Sequence, residues 1–163
     1  MSQPNLGAHS IKVAHVRITT AKSFAEVEAA LEKLLPKIDQ EILEALAEGE
    51  LERAKRLGRG CELFIFGKRD HGILLRSAGQ TRRAVQYEIG NPITAASMTQ
   101  YQLSAALYAP LRVLLFQKPS EEGATFEYDL PSSLFGQFGD ERVTAVGEKL
   151  DAELERVLRR AAS

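Results

Sequence analysis

Residues 82–117, RRAVQYEIGNPITAASMTQYQLSAALYAPLRVLLFQ, decide the fold. The first nine residues of this stretch are rich in β-branched and aromatic side chains and predict a strand, and its last seven predict a buried strand. Between the two strands, Asn91 is a good helix N-cap, and Pro92 stands in the first turn, where proline is tolerated. Pro110 then ends the helical pattern. The stretch therefore predicts a strand, a helix that fills the whole interval, and a second strand.

The residues before this stretch predict a strand, two helices and a further strand. Ser23 and Glu26 form a capping box, and the apolar residues that follow them fall on one helical face. Pro36 interrupts this helix, and a second helical pattern continues until Gly58 and Gly60. The predicted elements are a strand over 11–20, helices over 23–35 and 37–60, a strand over 62–69, and a segment over 72–79 that fits a short helix or a strand.

The residues after the stretch predict a hairpin-type loop over 118–123, a strand over 124–130 and a closing helix over 131–162, broken near Gly136 or Gly139. This order predicts an α+β domain, with a mainly antiparallel sheet and helices packed mainly on one face. We expect a single domain over 1–163 with a flexible N-terminus over 1–10. The predicted core includes Phe64, Phe66, Val113, Leu115 and Phe138.

Composition excludes several functional classes. The 163 residues carry 21 basic and 22 acidic side chains, and this balance argues against nucleic-acid binding, which needs a basic surplus. A single cysteine, Cys61, excludes an internal disulfide and a cysteine-based metal cage, and so favours a reducing compartment. No apolar run is long enough to span a membrane and no export signal stands at the N-terminus, so we expect a cytoplasmic protein.

Arg69, Asp70 and His71 place a cation, a carboxylate and an imidazole side by side. Three interpretations are open: a polar turn with a local ion pair, a cluster that contacts a ligand, or an acid–base pair. The last requires a turn at this point, because neighbours in a strand point to opposite faces. The three histidines are scattered, so no metal site is predicted, and haem bound through His71 is left open.

Two stretches, QYEIGNPIT and EYDLPSSLF, pass from the end of a strand through a proline into a helix. A helix N-terminus attracts anions, so Asn91 and Ser132 are candidate ligand contacts, although asparagine and serine are also ordinary helix starters. Tyr108 and Tyr128 can each supply an apolar wall and a hydroxyl group. We expect His71, Asn91 and Tyr128 to converge on one pocket.

Taken together, RDHG, QYEIGNP, AALYAPLRVLLF and EYDLPSSLFGQFG resemble the bacterial and archaeal family called Domain of Unknown Function 302, over roughly residues 61–139. The resemblance implies a compact α+β domain that forms homodimers, and it implies no reaction. The chain departs from shorter members in its helical segment 23–57 and in Arg69, where an apolar residue is usual. The matching positions are Asp70, His71, Gly90, Asn91, Pro92, Pro110, Leu111, Arg112, Tyr128 and Pro131.

Three functions are compatible with these patterns. The first is a small-ligand-binding domain, a sensor or carrier, which holds a small anionic molecule or cofactor in a cleft near His71 and the helix start at Asn91. The second is an enzyme that acts on a small anionic or carbonyl substrate with His71 as the acid–base group. The third is a non-catalytic homodimer that binds a protein partner. The sequence specifies no particular cofactor.

Overall fold

The computed structural model describes residues 4–117 and 122–163. Five strands form one antiparallel sheet in the order β1-β5-β4-β3-β2. Because β3 and β5 both pair antiparallel with β4, they run in the same direction and finish at the same end of the sheet. The strands are β1 (His15–Thr20), β2 (Phe64–Asp70), β3 (Ala84–Gly90), β4 (Leu111–Phe116) and β5 (Ala124–Asp129).

The described residues also form helices between and after the strands. The α-helices are α1 (Phe24–Leu34), α2 (Gln40–Ala47), α3 (Leu51–Leu57), α4 (His71–Leu75), α5 (Pro92–Thr99), α6 (Pro131–Phe135) and α7 (Glu141–Ala162). Three 3-10 helices cover Arg76–Ala78, Leu103–Tyr108 and Gly136–Phe138. The predicted α+β class, with a mainly antiparallel sheet, is confirmed.

The main core lies between the sheet and the helices α1 and α7. Cross-strand partners share a face of the sheet, and the row Tyr87, Val113 and Tyr128 is at most 3% exposed. Apolar residues of α1 and α7 pack against this face. The opposite face carries charged and polar residues such as Arg17 and Glu127. Burial of each large apolar side chain contributes about 1.5–3 kcal/mol, so this one-sided core dominates stability.

A second, smaller core holds the pair α2 and α3. Ile42, Ala45 and Ala54 pack there around Phe64, which projects from β2. The chain before α2 is joined to the sheet by two backbone hydrogen bonds. The Ile38 N–H donates to the Ile65 carbonyl at 3.0 Å, and the Ile65 N–H donates to the Pro36 carbonyl at 2.9 Å. The helical segment 23–57 thus contributes to both cores.

Two predicted helices are wrong in their extent. The pattern over 37–60 forms two helices, because Gly49 adopts a left-handed conformation with φ of 78° between α2 and α3. The helix after Asn91 ends at Thr99, and Gln102 is extended before the 3-10 turn begins. Leu103 and Leu107, in this 3-10 turn, are each 79% exposed.

The remaining expectations mostly hold. Phe64, Val113 and Leu115 are buried, whereas Phe66 and Phe138 are only half-buried, because they pack at the margins of the two cores.

The segment over 72–79 is helical, β1 begins at His15 and not at residue 11, and the closing helix is interrupted at Gly139, with φ of 67°. Residues 118–121 of the predicted loop lie outside the described residues.

Candidate functional site

The chain turns at Asp70 and Gly72, where β2 ends and α4 begins. Asp70 is the N-cap of this helix, and its Oδ1 accepts a hydrogen bond from the Ile73 N–H at 3.2 Å. Gly72 is buried, and a Cβ atom at this position would collide with the carbonyl oxygen of Arg82. The carboxylate of Asp70 therefore stabilises a tight turn, and nothing places it to orient the neighbouring imidazole as an acid–base partner.

Arg69 and His71 lie on either side of this cap, and their side chains have different surroundings. Arg69 is 60% exposed in its side chain, and its Nη2 lies 2.7 Å from Oε1 of Glu88 on the polar face of the sheet. His71 is half-buried, and its Nε2 is buried without a hydrogen-bond partner in the part of the chain that the structure describes. The triplet is therefore a capped turn, and its three side chains do not form one cluster.

A cleft of about 280 Å³ lies beside this turn, between α1, α4 and the beginning of β3. We call it the arginine cleft. Three arginines line it, Arg76 from the 3-10 turn after α4 and Arg82 and Arg83 from the approach to β3. Two carboxylates, those of Glu28 and Asp70, line it as well. Among the described residues, three guanidinium groups thus face two carboxylates.

Both carboxylates of the arginine cleft already have partners. Asp70 caps α4, as described above. Glu28 lies 3.3 Å from Arg83 Nη2 and 2.9 Å from Lys68 Nζ, and the Arg83 guanidinium also stacks 4.2 Å from the Phe24 ring centre. Within residues 4–117 and 122–163, no carboxylate lies within 4.0 Å of a nitrogen of Arg76 or Arg82. The cleft therefore carries a positive surplus that suits an anion.

Next to the cleft, a polar network ties α1 to the sheet. The Tyr87 hydroxyl donates a hydrogen bond to Oε1 of Glu32 at 2.9 Å, and Lys68 Nζ lies 2.6 Å from the same oxygen. The hydrogen bond from Lys68 lowers the pKa of Glu32, and burial raises the pKa of Tyr87 far above its usual value. At neutral pH, Glu32 is therefore ionised and Tyr87 is neutral.

At the other end of the sheet, the hydrogen-bonding groups of the Asn91 side chain are engaged within the protein. Oδ1 accepts from the Ile93 N–H at 2.9 Å and the Thr94 N–H at 3.4 Å. Nδ2 donates to the carbonyls of Cys61 at 3.1 Å and Glu62 at 3.2 Å. The side chain caps α5 and fixes the chain before β2, so the donors of this helix start are not free for an anion.

At the second candidate helix N-terminus, that of α6, protein groups also occupy the hydrogen-bond donors. The Ser132 N–H in the first turn of α6 donates to Oδ1 of Asp151, a residue of α7, at 2.8 Å. The Ser133 hydroxyl accepts from the Ala14 N–H at 3.1 Å and donates to the Leu130 carbonyl at 2.7 Å. The expectation that the two helix starts offer open anion sites is therefore wrong, because protein groups already occupy these donors.

The two candidate tyrosines have structural surroundings. Tyr128 is 3% exposed, and burial, together with the nearby carboxylates Glu155 and Asp151, raises its pKa to about 12. Tyr108 packs edge-on against Phe135, with ring centres 6.4 Å apart, and lies 6.2 Å from the Phe138 ring. Tyr108 thus packs against α6 and the turn after it, Tyr128 lies in the main core near α7, and neither lines the arginine cleft.

The predicted convergence of His71, Asn91 and Tyr128 on one cleft is wrong. Asp70 pairs with Val85 near the beginning of β3, whereas Asn91 follows Gly90 at its end. At about 3.3 Å per residue, this separates the Asp70 turn from Asn91 by roughly 20 Å. The reason is the antiparallel pairing of β2 and β3, since consecutive antiparallel strands finish at opposite ends of a sheet.

The end of the sheet at Asn91 contains a different concave surface, which we call the motif pocket. Its volume is about 240 Å³. Gly90, Asn91 and Pro92 form one wall, and Ala109–Leu111 form another. The sequence stretches that carry the family resemblance thus come together here from the end of β3 and the beginning of β4. Phe66, Ala95 and Phe135 also line the pocket, and no charged side chain of the described residues does.

Sequence reasoning missed the arginine cleft apart from Asp70. Arg82 and Arg83 are adjacent in the chain, and that basic pair was the only local signal. Among residues 4–117 and 122–163, no cluster of three or more histidine, cysteine or acidic side chains could hold a metal ion. No helix in those ranges is long and apolar enough to cross a bilayer.

The fold and these sites define a small α+β domain built on one five-stranded antiparallel sheet. The chain belongs to the family described as domain of unknown function DUF302, whose sequence model matches residues 51–161. A solved relative in fold is the crystal structure of an uncharacterized conserved DUF302 protein from Bacillus stearothermophilus. Its TM-score is 0.66 at 17% identity, over 90% of this chain and 97% of that one. No curated protein matches the sequence.

Proposed function

We propose that this protein is a small-ligand-binding domain and that it holds a small anion, a carboxylate or a phosphate, in the arginine cleft. One observation carries the proposal: Arg76, Arg82 and Arg83 line one cleft of about 280 Å³, and only Arg83 is within ion-pair distance of a carboxylate among the described residues. Guanidinium groups match the planar and tetrahedral oxygens of these anions by paired hydrogen bonds.

The cleft also offers the surroundings that a small ligand needs. Phe24, Ile73 and Val85 form apolar parts of its lining, and the charged groups converge from α1, the turn after α4 and the approach to β3. Pockets of this size combine apolar walls with a few polar groups that orient the ligand. The loss of one charge-assisted hydrogen bond costs roughly 1.5–3 kcal/mol, which corresponds to tenfold or more in affinity.

Calorimetric titration with inorganic phosphate and with succinate, in chloride buffer at low ionic strength, tests the proposal. We expect binding that weakens as salt is added, because the arginines are exposed and their attraction is screened. Arg82→Gln and Arg76→Gln should each weaken binding by about tenfold or more. Arg160→Gln is the matched control, since Arg160 is an exposed arginine of α7 outside the cleft.

The controls separate a specific site from general attraction of anions. Arg160→Gln should leave the affinity within about twofold of the wild type. Equal losses for Arg82→Gln and Arg160→Gln, or no binding of either anion, would show that the arginine cleft is not a ligand site. Thermal unfolding of each variant confirms that affinity is compared among folded molecules.

Two other predictions from the sequence receive no support from the geometry. An acid–base role for His71 is one of them, because the arginine cleft is lined by its neighbours Asp70 and Gly72 and not by His71 itself. The homodimer implied by the family resemblance stays a prediction, and light scattering at tens of micromolar tests it.

A further inference from the structure

We infer that the motif pocket is a second binding site, separate from the arginine cleft, for a small uncharged apolar molecule about the size of one or two fused rings. The chemistry of the lining carries this inference. Phe66, Pro92, Pro110, Leu111 and Phe135 present carbon to the pocket, and no lysine, arginine, aspartate or glutamate of residues 4–117 and 122–163 lines it. A charged ligand would lose its hydration there without gaining a partner.

Asn91 is the one polar side chain that lines the pocket among the described residues, and its polar groups already have partners. Its Oδ1 and Nδ2 are held by four hydrogen bonds to backbone groups of the protein itself. The pocket therefore offers a ligand contact with apolar surface and little directional hydrogen bonding. Recognition at this site depends on shape and on removal of apolar surface from water.

The size of the pocket fits a ring. A cavity of about 150 Å³ lined by apolar side chains is enough to bind benzene, and the motif pocket measures about 240 Å³. The absence of a side chain at Gly90 helps to keep this space. A Cβ atom added there would lie 3.6 Å from Pro110 and 3.9 Å from Phe66, so it would occupy the pocket without a clash.

The surrounding surface favours a small molecule over a protein partner. Stable protein interfaces bury at least about 1,200 Å² in total. The lining residues are all buried or half-buried, and the strongly exposed apolar residues of the described chain, such as Leu103 and Leu107, are not among them. The apolar surface at this end of the sheet is therefore concave and local, and its area is far too small for a stable interface by itself.

Indole is a suitable probe, because the chain contains no tryptophan and the indole signal is not shared with the protein. Indole binding is measured by its fluorescence and by saturation-transfer NMR. Ala95 lines the pocket and Ala96, its neighbour in α5, is exposed, so Ala95→Leu and Ala96→Leu form a matched pair. We expect Ala95→Leu to weaken indole binding by tenfold or more and Ala96→Leu to leave it within twofold.

Two further measurements keep the inference falsifiable. Gly90→Ala should weaken indole binding several-fold with little change in melting temperature, and it decides the outcome if Ala95→Leu fails to fold. Tryptamine, which adds a positive charge to the same ring, should bind at least tenfold more weakly than indole.

Three results would overturn the inference: no indole binding by the wild type, equal loss in the Ala96→Leu protein, or a wild-type dimer that Ala95→Leu converts to monomer. The last would show that a second copy fills the pocket. Phosphate binding to the arginine cleft should be the same in wild type, Ala95→Leu and Gly90→Ala, so this test and that of the proposed function fail independently.

Discussion

The two ends of the sheet have similar local sequences but different surfaces. At each end a strand runs through a polar N-cap, Asp70 or Asn91, into a short helix. Beside Asp70 the surface is charged and exposed, with three arginines around a cleft. Beside Asn91 it is apolar, and the capping side chain makes four hydrogen bonds within the protein.

The difference shows what a capping residue can reveal about function. Asp70 and Asn91 both look like ligand contacts in the sequence, and both are used to begin a helix. The candidate sites lie next to these caps and are formed by neighbours, arginines at one end and proline and phenylalanine at the other. At these two helix starts, the polar cap lies beside a concave surface, and the neighbours of the cap give that surface its charge or its apolar character.

The largest expected difference between the ends is in their packing. Phe135, at the motif pocket, is fully buried, whereas Leu74, in α4, is 65% exposed. Phe135→Ala should lower the free energy of unfolding by about 3–5 kcal/mol because it leaves a cavity in the main core. Leu74→Ala should change it by less than about 0.5 kcal/mol. Urea unfolding of both variants measures this, and comparable losses would remove the contrast in packing.

A smaller effect is expected from one added methyl group at each end. Gly72→Ala forces a Cβ atom against the backbone carbonyl of Arg82, so it should destabilise the protein by about 1–3 kcal/mol. Gly136→Ala, at the other end, meets no atom within 4 Å. It should be neutral or slightly stabilising, since alanine restricts the unfolded chain. Melting temperatures that fall equally in both would show that the turn at Gly72 is not tightly packed.

The smallest expected effect is a pH dependence at His15, on the polar face near the Asn91 end. The hydrogen bond that the His15 ring donates to Asp129, at 3.1 Å, raises the pKa of His15 above 6.5, and Glu127 at 3.3 Å acts in the same direction. A raised folded-state pKa stabilises the protein below pH 6.5, and this contribution is lost as pH rises through the folded-state value.

The size of the His15 contribution is limited by solvent. The side chain is 54% exposed, so the contribution falls within the range of about 0–1 kcal/mol that surface ion pairs show. Unfolding of wild type and His15→Gln at pH 5.5 and pH 8.5 measures the difference. The wild type should gain more stability than the variant at the lower pH, and identical pH profiles would contradict the assignment.

Local signals in the sequence predicted the local structure well. The capping box at Ser23 and the proline after Asn91 identified helix starts, and runs rich in apolar, β-branched and aromatic residues identified the strands. Helix ends were less predictable, because Gly49 interrupts a pattern that is helical on both sides. The propensity of a segment says little about the single residue at which the chain must change direction.

The candidate site was harder to predict, because it depends on which ends of the strands meet. The antiparallel order of β2 and β3 is enough to separate His71 from Asn91, and that pairing could have been weighed from the sequence. The arginine cleft could not, since it joins α1, the turn after α4 and the approach to β3. Contacts between such distant segments follow from tertiary packing and leave no periodic pattern in the chain.

The two hydrogen bonds that join Pro36 and Ile38 to Ile65 have a consequence for aggregation. β2 is an edge strand, and an uncovered edge is a template on which other chains can add strands. The two bonds occupy the outward groups of Ile65, the pairing irregularity between Ile65 and Gly67 bends the strand, and Lys68, Arg69 and Asp70 place charge along the rest. This edge of the sheet is therefore protected against intermolecular strand addition along its length.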